Sequence, residues 1–466
     1  MAYKMLIDGK LVDGAQSLDV FNPATGGVLD TCPRADEAQL NQAVAAAKKA
    51  FPAWSALSYD QRRAKLEALA DALEARADEF ARLLTQEQGK PLPQAQGEVA
   101  GAVYGMRAFA AMKVEGRMVR ESASERIVEQ RTPLGVVGAI MPWNFPMLLM
   151  TMKLGPGLIT GNTIVAKPAP TTPLTALLFG ELAAKILPPG VLNIIVDNND
   201  LGAVLTKHPD VAKVSFTGST ATGKKVMESV ASTLKRLTLE LGGNDAAIVL
   251  DDADVSIVAP KIFDAAMSNA GQICLATKRV YAHSSLYDAL CNELARLAGE
   301  AVVDDGLKQG TTIGPLQNKM QYEKVKAFLD DAKADGKVIA GGDAMAREGY
   351  FISPTIVRDI GDDSRLVREE QFGPVLPVMS FDDVADAIAR TNDTDYGLGG
   401  SVWTSNVDRG FEVASQMQSG TVWVNKSLDI PFDVPFRGAK SSGIGGENGI
   451  EGLEEYTQAR IVNVAL

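Results

Sequence analysis

Residues 211–250 read VAKVSFTGSTATGKKVMESVASTLKRLTLELGGNDAAIVL. An apolar run, Val211–Phe216, meets a glycine-rich turn from Gly218 to Gly223, and a helix-length segment follows. A second run, Leu237–Leu239, ends at Glu240, and a third spans Ala246–Leu250. Short apolar runs separated by helix-length segments are the pattern of strands buried on both faces of a parallel sheet. Upstream, Val136–Met141, Thr163–Ala166 and Val191–Val196 repeat it. Downstream, the alternation continues from about Ala253 to Met379, with a helix-like Asn318–Lys333 and a strand-like Val338–Ala340. The fold class is therefore α/β, with at least two parallel sheets.

The flanks read differently. The first 35 residues mix short apolar pieces with turn dipeptides such as Asp8-Gly9 and Asn22-Pro23, which predicts a small β-hairpin arm. Asp36–Phe51 is helical in period, with Leu40, Val44 and Ala47 on one face. Ser58 and Gln61 form a capping-box pattern, opening one long helical stretch that stops near Gly89. Another helix is expected over Gly97–Met112. Residues 113–133 are charged and weakly apolar, an excursion more than a core element.

Composition narrows the function. The 466 residues carry a net charge of −12, which repels nucleic-acid phosphates, and no Lys/Arg-dense run offsets it. Two histidines and three scattered cysteines leave little material for zinc sites, histidine catalysis or a disulfide framework. The most apolar stretch, Leu134–Thr160, is broken by Pro142, Asn144, Pro146, Lys153 and Pro156, so no membrane span is expected. The start, MAYKMLIDGKLVDG, lacks the apolar run of a secretory signal. A cytoplasmic protein without a metal site is the expectation.

Several local motifs carry chemistry. Gly218–Lys225 follows a strand and presents backbone N–H groups and a helix start to a phosphate. It nearly matches a P-loop, but Lys225 stands where Ser or Thr would ligate Mg²⁺, and no G-x-G-x-x-G fingerprint occurs. Glu240-Leu-Gly-Gly is a strand end followed by a turn. Cys274, in Asn269-Ala-Gly-Gln-Ile-Cys, sits after a glycine turn that takes it off a helix, whereas Cys32 and Cys291 read as structural. Met141-Pro-Trp-Asn144-Phe-Pro146 fixes a loop at a sheet edge, where α/β sheets bind ligands. Glu369-Glu-Gln-Phe-Gly-Pro374 is a further turn. From these residues separately, a P-loop-like nucleotide hydrolase and a thiol esterase or acyltransferase both stay open.

Taken in order, Pro-Trp-Asn-Phe-Pro, Lys-Pro, Phe-Thr-Gly-Ser-Thr, Glu-Leu-Gly-Gly, Gly-Gln-x-Cys and Glu-x-Phe-Gly-Pro resemble the aldehyde dehydrogenase superfamily, non-acylating and NAD(P)-dependent, along essentially the whole chain. The resemblance implies two Rossmann-like parallel α/β domains and a small β oligomerisation element. Residues 1–112 and 134–241 would bind the dinucleotide, 242–434 would form the catalytic domain, and 113–133 with 435–466 would form the oligomerisation element and tail. It implies Cys274 as nucleophile, Glu240 as base for the deacylating water, Asn144 as oxyanion donor, and Lys153 with Glu447 as a proton-relay pair. Around the cofactor it implies Met141, Pro142 and Trp143 lining the cleft, and Lys167 on the adenine-side ribose. Gly202 would be a helix-entry glycine, Gly218 and Ser219 the pyrophosphate turn, Glu370 a partner of the nicotinamide ribose, and Phe372 a neighbour of the nicotinamide. The implied partners are an aldehyde, NAD or NADP, and further copies of the chain as a homodimer or homotetramer. Two departures bear on specificity. Pro170 replaces the glutamate that NAD-preferring relatives usually carry, and Met152 stands where semialdehyde-oxidising relatives often place an arginine.

Overall fold

A computed structural model describes residues 3–466. Two large sheets hold the short apolar runs. In the first, Leu192–Ile194, Thr163–Lys167, Val136–Ile140, Val211–Thr217 and Arg236–Glu240 lie side by side and parallel. In the second, Thr355–Arg358, Val375–Phe381, Thr277–His283, Asp245–Val249, Gly399–Trp403 and Thr421–Val424 do the same. Each sheet has its own apolar core. Every residue of Val136–Ile140, Thr163–Lys167 and Asp245–Val249 is buried. Helices covering both faces cause this, and each enclosed Val, Ile or Leu adds roughly 1.5–3 kcal/mol of transfer free energy. The fold is α/β, with two Rossmann-like units.

The flanks bring corrections. The expected arm is two hairpins, and the first, Met5–Ile7 with Lys10–Val12, joins the first sheet through Leu6 and Ile194. The long helical stretch breaks into Tyr59–Glu74 and Ala77–Gln88, with Arg76 leaving helical geometry (φ −119°, ψ 19°). The Ser58–Gln61 capping box forms, and Gly89 closes the second helix at φ 101°. The next helix starts at Leu92, not Gly97, because Pro93 falls in its first turn, where no N–H is needed.

Residues Arg117–Glu121, Glu125–Pro133 and Thr457–Ala465 make a separate three-stranded antiparallel sheet. The segment before it behaves otherwise: Gly443–Ile444 pairs antiparallel with Leu239–Glu240 and closes the edge of the first sheet. No helix among the described residues is long and apolar enough to cross a membrane, and no cluster of His, Cys, Asp and Glu among them could hold a metal.

Candidate active site

The C-terminal ends of the first sheet face two loops of the second unit across a cleft of about 510 Å³. Met141, Pro142, Trp143 and Asn144 enter it from the loop after Val136–Ile140, and Lys167 and Pro170 from the end of Thr163–Lys167. Gly218, Ser219 and Glu240 come from the next two strand ends. Cys274, Glu370 and Phe372 come from the opposite wall.

Cys274 owes its position to a left-handed turn. The helix Val255–Met267 ends, and Asn269, Ala270 and Gly271 follow at φ 50°, 54° and 72°. Such a backbone costs on the order of 1–3 kcal/mol per non-glycine residue and needs support. Asn269 Nδ2 donates to the Asn144 carbonyl at 3.1 Å, and Gln272 Nε2 donates to the Asn269 carbonyl at 2.8 Å. Gly271 is required for a second reason: a Cβ there would stand 2.3 Å from the Gly373 carbonyl oxygen. The turn leaves Cys274 half-buried at the cleft wall, while Cys32 and Cys291 lie in the cores.

Glu240 is 5% exposed, and neither carboxyl oxygen has a hydrogen-bond partner. Burial pushes its pKa up to about 8, and the Glu447 charge adds to the rise. Burial likewise raises the Cys274 thiol well above its ordinary value, with the adjacent Glu240 charge contributing. An unpartnered buried carboxyl beside a thiol is a poor structural device and a useful acid–base pair.

Asn144 Nδ2 donates to the Gln272 carbonyl at 3.0 Å, which leaves its second amide hydrogen for another acceptor. Behind it lies a pair that the sequence did not announce. Lys90 Nζ donates to the Asn144 carbonyl at 2.9 Å, lies 3.6 Å from the Phe145 ring centroid, and pairs with Glu98. Glu98 in turn accepts from the backbone N–H groups of Met147 at 2.9 Å and Leu148 at 3.3 Å, capping the helix Pro146–Ile159. Both side chains are fully buried. Lys90→Met should therefore cost about 3–5 kcal/mol of stability, since it strands a buried carboxylate. A urea titration reads this directly, and a change below about 1 kcal/mol would contradict it.

Lys153 and Glu447 do not line the cleft. They form a buried pair at 2.7 Å, and Lys153 Nζ also donates to Thr217 Oγ1 at 2.8 Å. Glu447 reaches this place because Gly443–Ile444 docks on the Glu240 strand. Lys167 is paired with Asp197 at 2.6 Å, and Asp197 also accepts from the Leu201 N–H. Gly202 lies outside the cleft lining, where its missing Cβ would stand 3.8 Å from Lys167 Cε. Ser219 caps the helix Thr220–Ala231, while Lys224 and Lys225 on that helix are exposed and do not line the cleft. A P-loop reading has no lysine in place. Glu370 Oε1 accepts from the Gly243 N–H at 3.1 Å, and Phe372, at φ 51°, meets the Trp143 ring edge-on at 5.4 Å. Sequence reasoning missed Asp197, Lys90 and Glu98, which meet partners distant along the chain, and Lys278, which bonds the nearby carbonyls of Ile273 and Cys274.

Residues 11–462 match the model of the aldehyde dehydrogenase family. The chain belongs to that family. This aldehyde dehydrogenase is 39% identical to a mitochondrial aldehyde dehydrogenase of Leishmania tarentolae, over 99% of this chain and 95% of that protein. It is also 39% identical to the mitochondrial succinate-semialdehyde dehydrogenase of Arabidopsis thaliana, over 98% and 88%. Among solved structures, the NAD+ complex of aldehyde dehydrogenase from Bacillus cereus superposes with a TM-score of 0.98 at 37% identity, covering 100% of this chain and 97% of that one. An E. coli NADP dependent enzyme superposes with a TM-score of 0.97 at 36% identity, covering 100% and 98%. The enzyme is an oxidoreductase that acts on the aldehyde group with NAD or NADP.

Proposed function

We propose that this aldehyde dehydrogenase converts an uncharged aldehyde to its acid through a thioester on Cys274. The observation that carries the reading is the meeting of Cys274, Glu240 and the free N–H of Asn144 in one cleft. Cys274 loses its proton towards Glu240 and its sulfur attacks the aldehyde carbon, while Asn144 donates to the oxygen that gains charge. A bound dinucleotide supplies the hydride acceptor that carries the adduct to the thioester. Glu240 first gives up the thiol proton through the Glu447–Lys153 pair. Ionised again, it takes a proton from the water that cleaves the thioester, restoring the Cys274 thiolate, and the same pair carries that second proton away from the cleft. Removing the amide donor in Asn144→Ala should lower kcat by about 10²–10³-fold with little change in dinucleotide affinity. Steady-state kinetics beside calorimetric binding separate the two.

The cleft suits a dinucleotide. The first turn of Thr220–Ala231 presents N–H groups unpaired within the helix, and Lys167 supplies a buried cation further along. Gly218 and Ser219 would face the pyrophosphate, Lys167 the adenine-side ribose, and Glu370 and Phe372 the nicotinamide end. Pro170 contributes no carboxylate to repel a 2′-phosphate, but the Asp197 carboxylate already balances Lys167. Opposed effects of this kind predict use of both cofactors, with kcat/KM within about 100-fold, or roughly 2.7 kcal/mol. Varied NAD+ and NADP+ at saturating aldehyde test it, and a preference above about 1,000-fold would overturn it.

Met152 is buried and brings no charge to a substrate carboxylate, which favours neutral aldehydes over succinate semialdehyde. Residues 1–112 and 134–241 serve as the dinucleotide domain and 242–434 as the catalytic one. The sheet of Arg117–Glu121, Glu125–Pro133 and Thr457–Ala465 leaves Met118, Val119 and Ile461 exposed, which supports a homo-oligomer joined there. Light scattering of a Val119→Asp, Ile461→Asp variant reads the assembly state.

A further inference from the structure

One cation is buried against the nucleophile and has no part in the chemistry above. Lys278, in the strand Thr277–His283, is 1% exposed. Its Nζ donates to the carbonyls of Ile273 at 2.8 Å and of Cys274 itself at 2.5 Å. It also forms an ion pair with Glu370 Oε1 at 3.6 Å, beyond hydrogen-bond length. Asp245 is also buried nearby: its Oδ1 accepts from the Gly399 N–H at 3.1 Å, and its Oδ2 has no partner. Holding two carbonyls needs only a neutral donor, and a desolvated ammonium is a costly way to do it. The cation is therefore placed where its charge matters.

The geometry points to Lys278 as a positioning residue that clamps the Cys274 backbone and, by its charge, favours the Cys274 thiolate over the thiol. The inference rests on Cys274 being the nucleophile. The charged groups facing the thiol come from several elements. Glu240 ends the strand Arg236–Glu240 and Asp245 begins the strand Asp245–Val249. Glu370, on the loop before Phe372, acts on those two carboxyls and pairs with Lys278. Behind them, the Lys153–Glu447 pair backs Glu240, Arg279 lies beside Asp245, and Lys324 donates to the Glu370 carbonyl at 2.9 Å. Burial, then Glu240, raise the thiol; Lys278 pulls it down and Asp245 pushes it up. Burial pushes Asp245 up to about 7, so it is charged over the range where the thiol ionises. Lys278 and Asp245 thus act on Cys274 with opposite signs.

The test reads the thiol directly, in cofactor-free enzyme without aldehyde. Alkylation of Cys274 by iodoacetamide is followed against pH, with the modified peptide quantified by mass. Lys278→Gln keeps a donor for the carbonyls and removes the charge, and Lys278→Met removes both. Both should move the midpoint up by about one pH unit or more, a tenfold slower reaction at any pH below it. Asp245→Asn, which keeps its acceptor for Gly399, should move the midpoint down. An unchanged midpoint in Lys278→Gln, or a shift in Lys278→Met only, reduces Lys278 to a carbonyl clamp and overturns the charge role. A Lys278 variant that fails to fold leaves Asp245→Asn decisive, since no downward shift there also overturns the proposal. Failure of the nucleophile assignment would appear separately, as aldehyde oxidation surviving in Cys274→Ala.

Discussion

With Cys274 replaced by alanine, aldehyde oxidation should fall by about 10⁴-fold or more while NAD+ and NADP+ bind within about threefold of their normal affinity. The size of the effect follows from the number of steps that use the sulfur. No other thiol can substitute, because Cys32 and Cys291 are buried in separate cores. The small effect on binding follows from the layout: the strand-end contacts at Gly218, Ser219 and Lys167 belong to the opposite wall. Stopped-flow absorbance at 340 nm wavelength, about the range where reduced nicotinamide absorbs, reads the first quantity and calorimetry the second. Residual turnover above roughly one per cent would mean that the sulfur is not the bond-making atom.

Glu240→Gln should show its effect after the first turnover. One equivalent of reduced dinucleotide forms, and the acyl group then stays on Cys274, visible as added mass. Turnover should fall by about 10²–10⁴-fold, the usual worth of a positioned base. In the unaltered enzyme the deacylation limb should rise with pH through about 8, where the buried carboxyl ionises, and in the variant that limb should flatten. Stability carries the opposite sign. The folded state holds the Glu240 proton from the ordinary 4.5 up to about 8, so stability falls as pH rises through that window. The slope is at most about 1.4 kcal/mol per pH unit. Gln stays neutral throughout, so the melting temperature of Glu240→Gln should gain on that of the unaltered enzyme between pH 5 and about 8. A parallel pair of melting curves would show that burial of this carboxyl has been misjudged.

The parts of the molecule legible from sequence are those written locally. Val136–Ile140 and Asp245–Val249 are continuous apolar runs because helices cover both faces, and the turn at Gly271 marks where Cys274 leaves its helix. The capping box at Ser58 needs only four neighbouring residues. What escaped was non-local. No glycine or proline announces the helix break at Arg76. Lys90 and Glu98 look like ordinary surface charges until the fold wraps Phe145 and the next helix around them. Lys167 is recognisable by its motif, but Asp197, its partner, arrives from the following strand–loop unit. Lys278 has no local signature, since a lysine at the start of a strand is usually solvated and this one is enclosed by carbonyls.

The docking of Gly443–Ile444 on the Glu240 strand has a consequence for the order of biosynthesis. A chain leaving the ribosome exposes the thiol-bearing turn long before Glu447 and Tyr456 emerge. Until they do, Lys153 lacks its carboxylate, the Glu240 strand is an open sheet edge, and Tyr456 has not yet reached Ser215. On the proposed mechanism, a nascent enzyme therefore passes through a stage that holds the Cys274 thiol and lacks its outlet for protons. Ribosome-arrested chains that end before Gly443 should be alkylated at Cys274 yet turn over no aldehyde, with activity appearing when the late segment is allowed to dock.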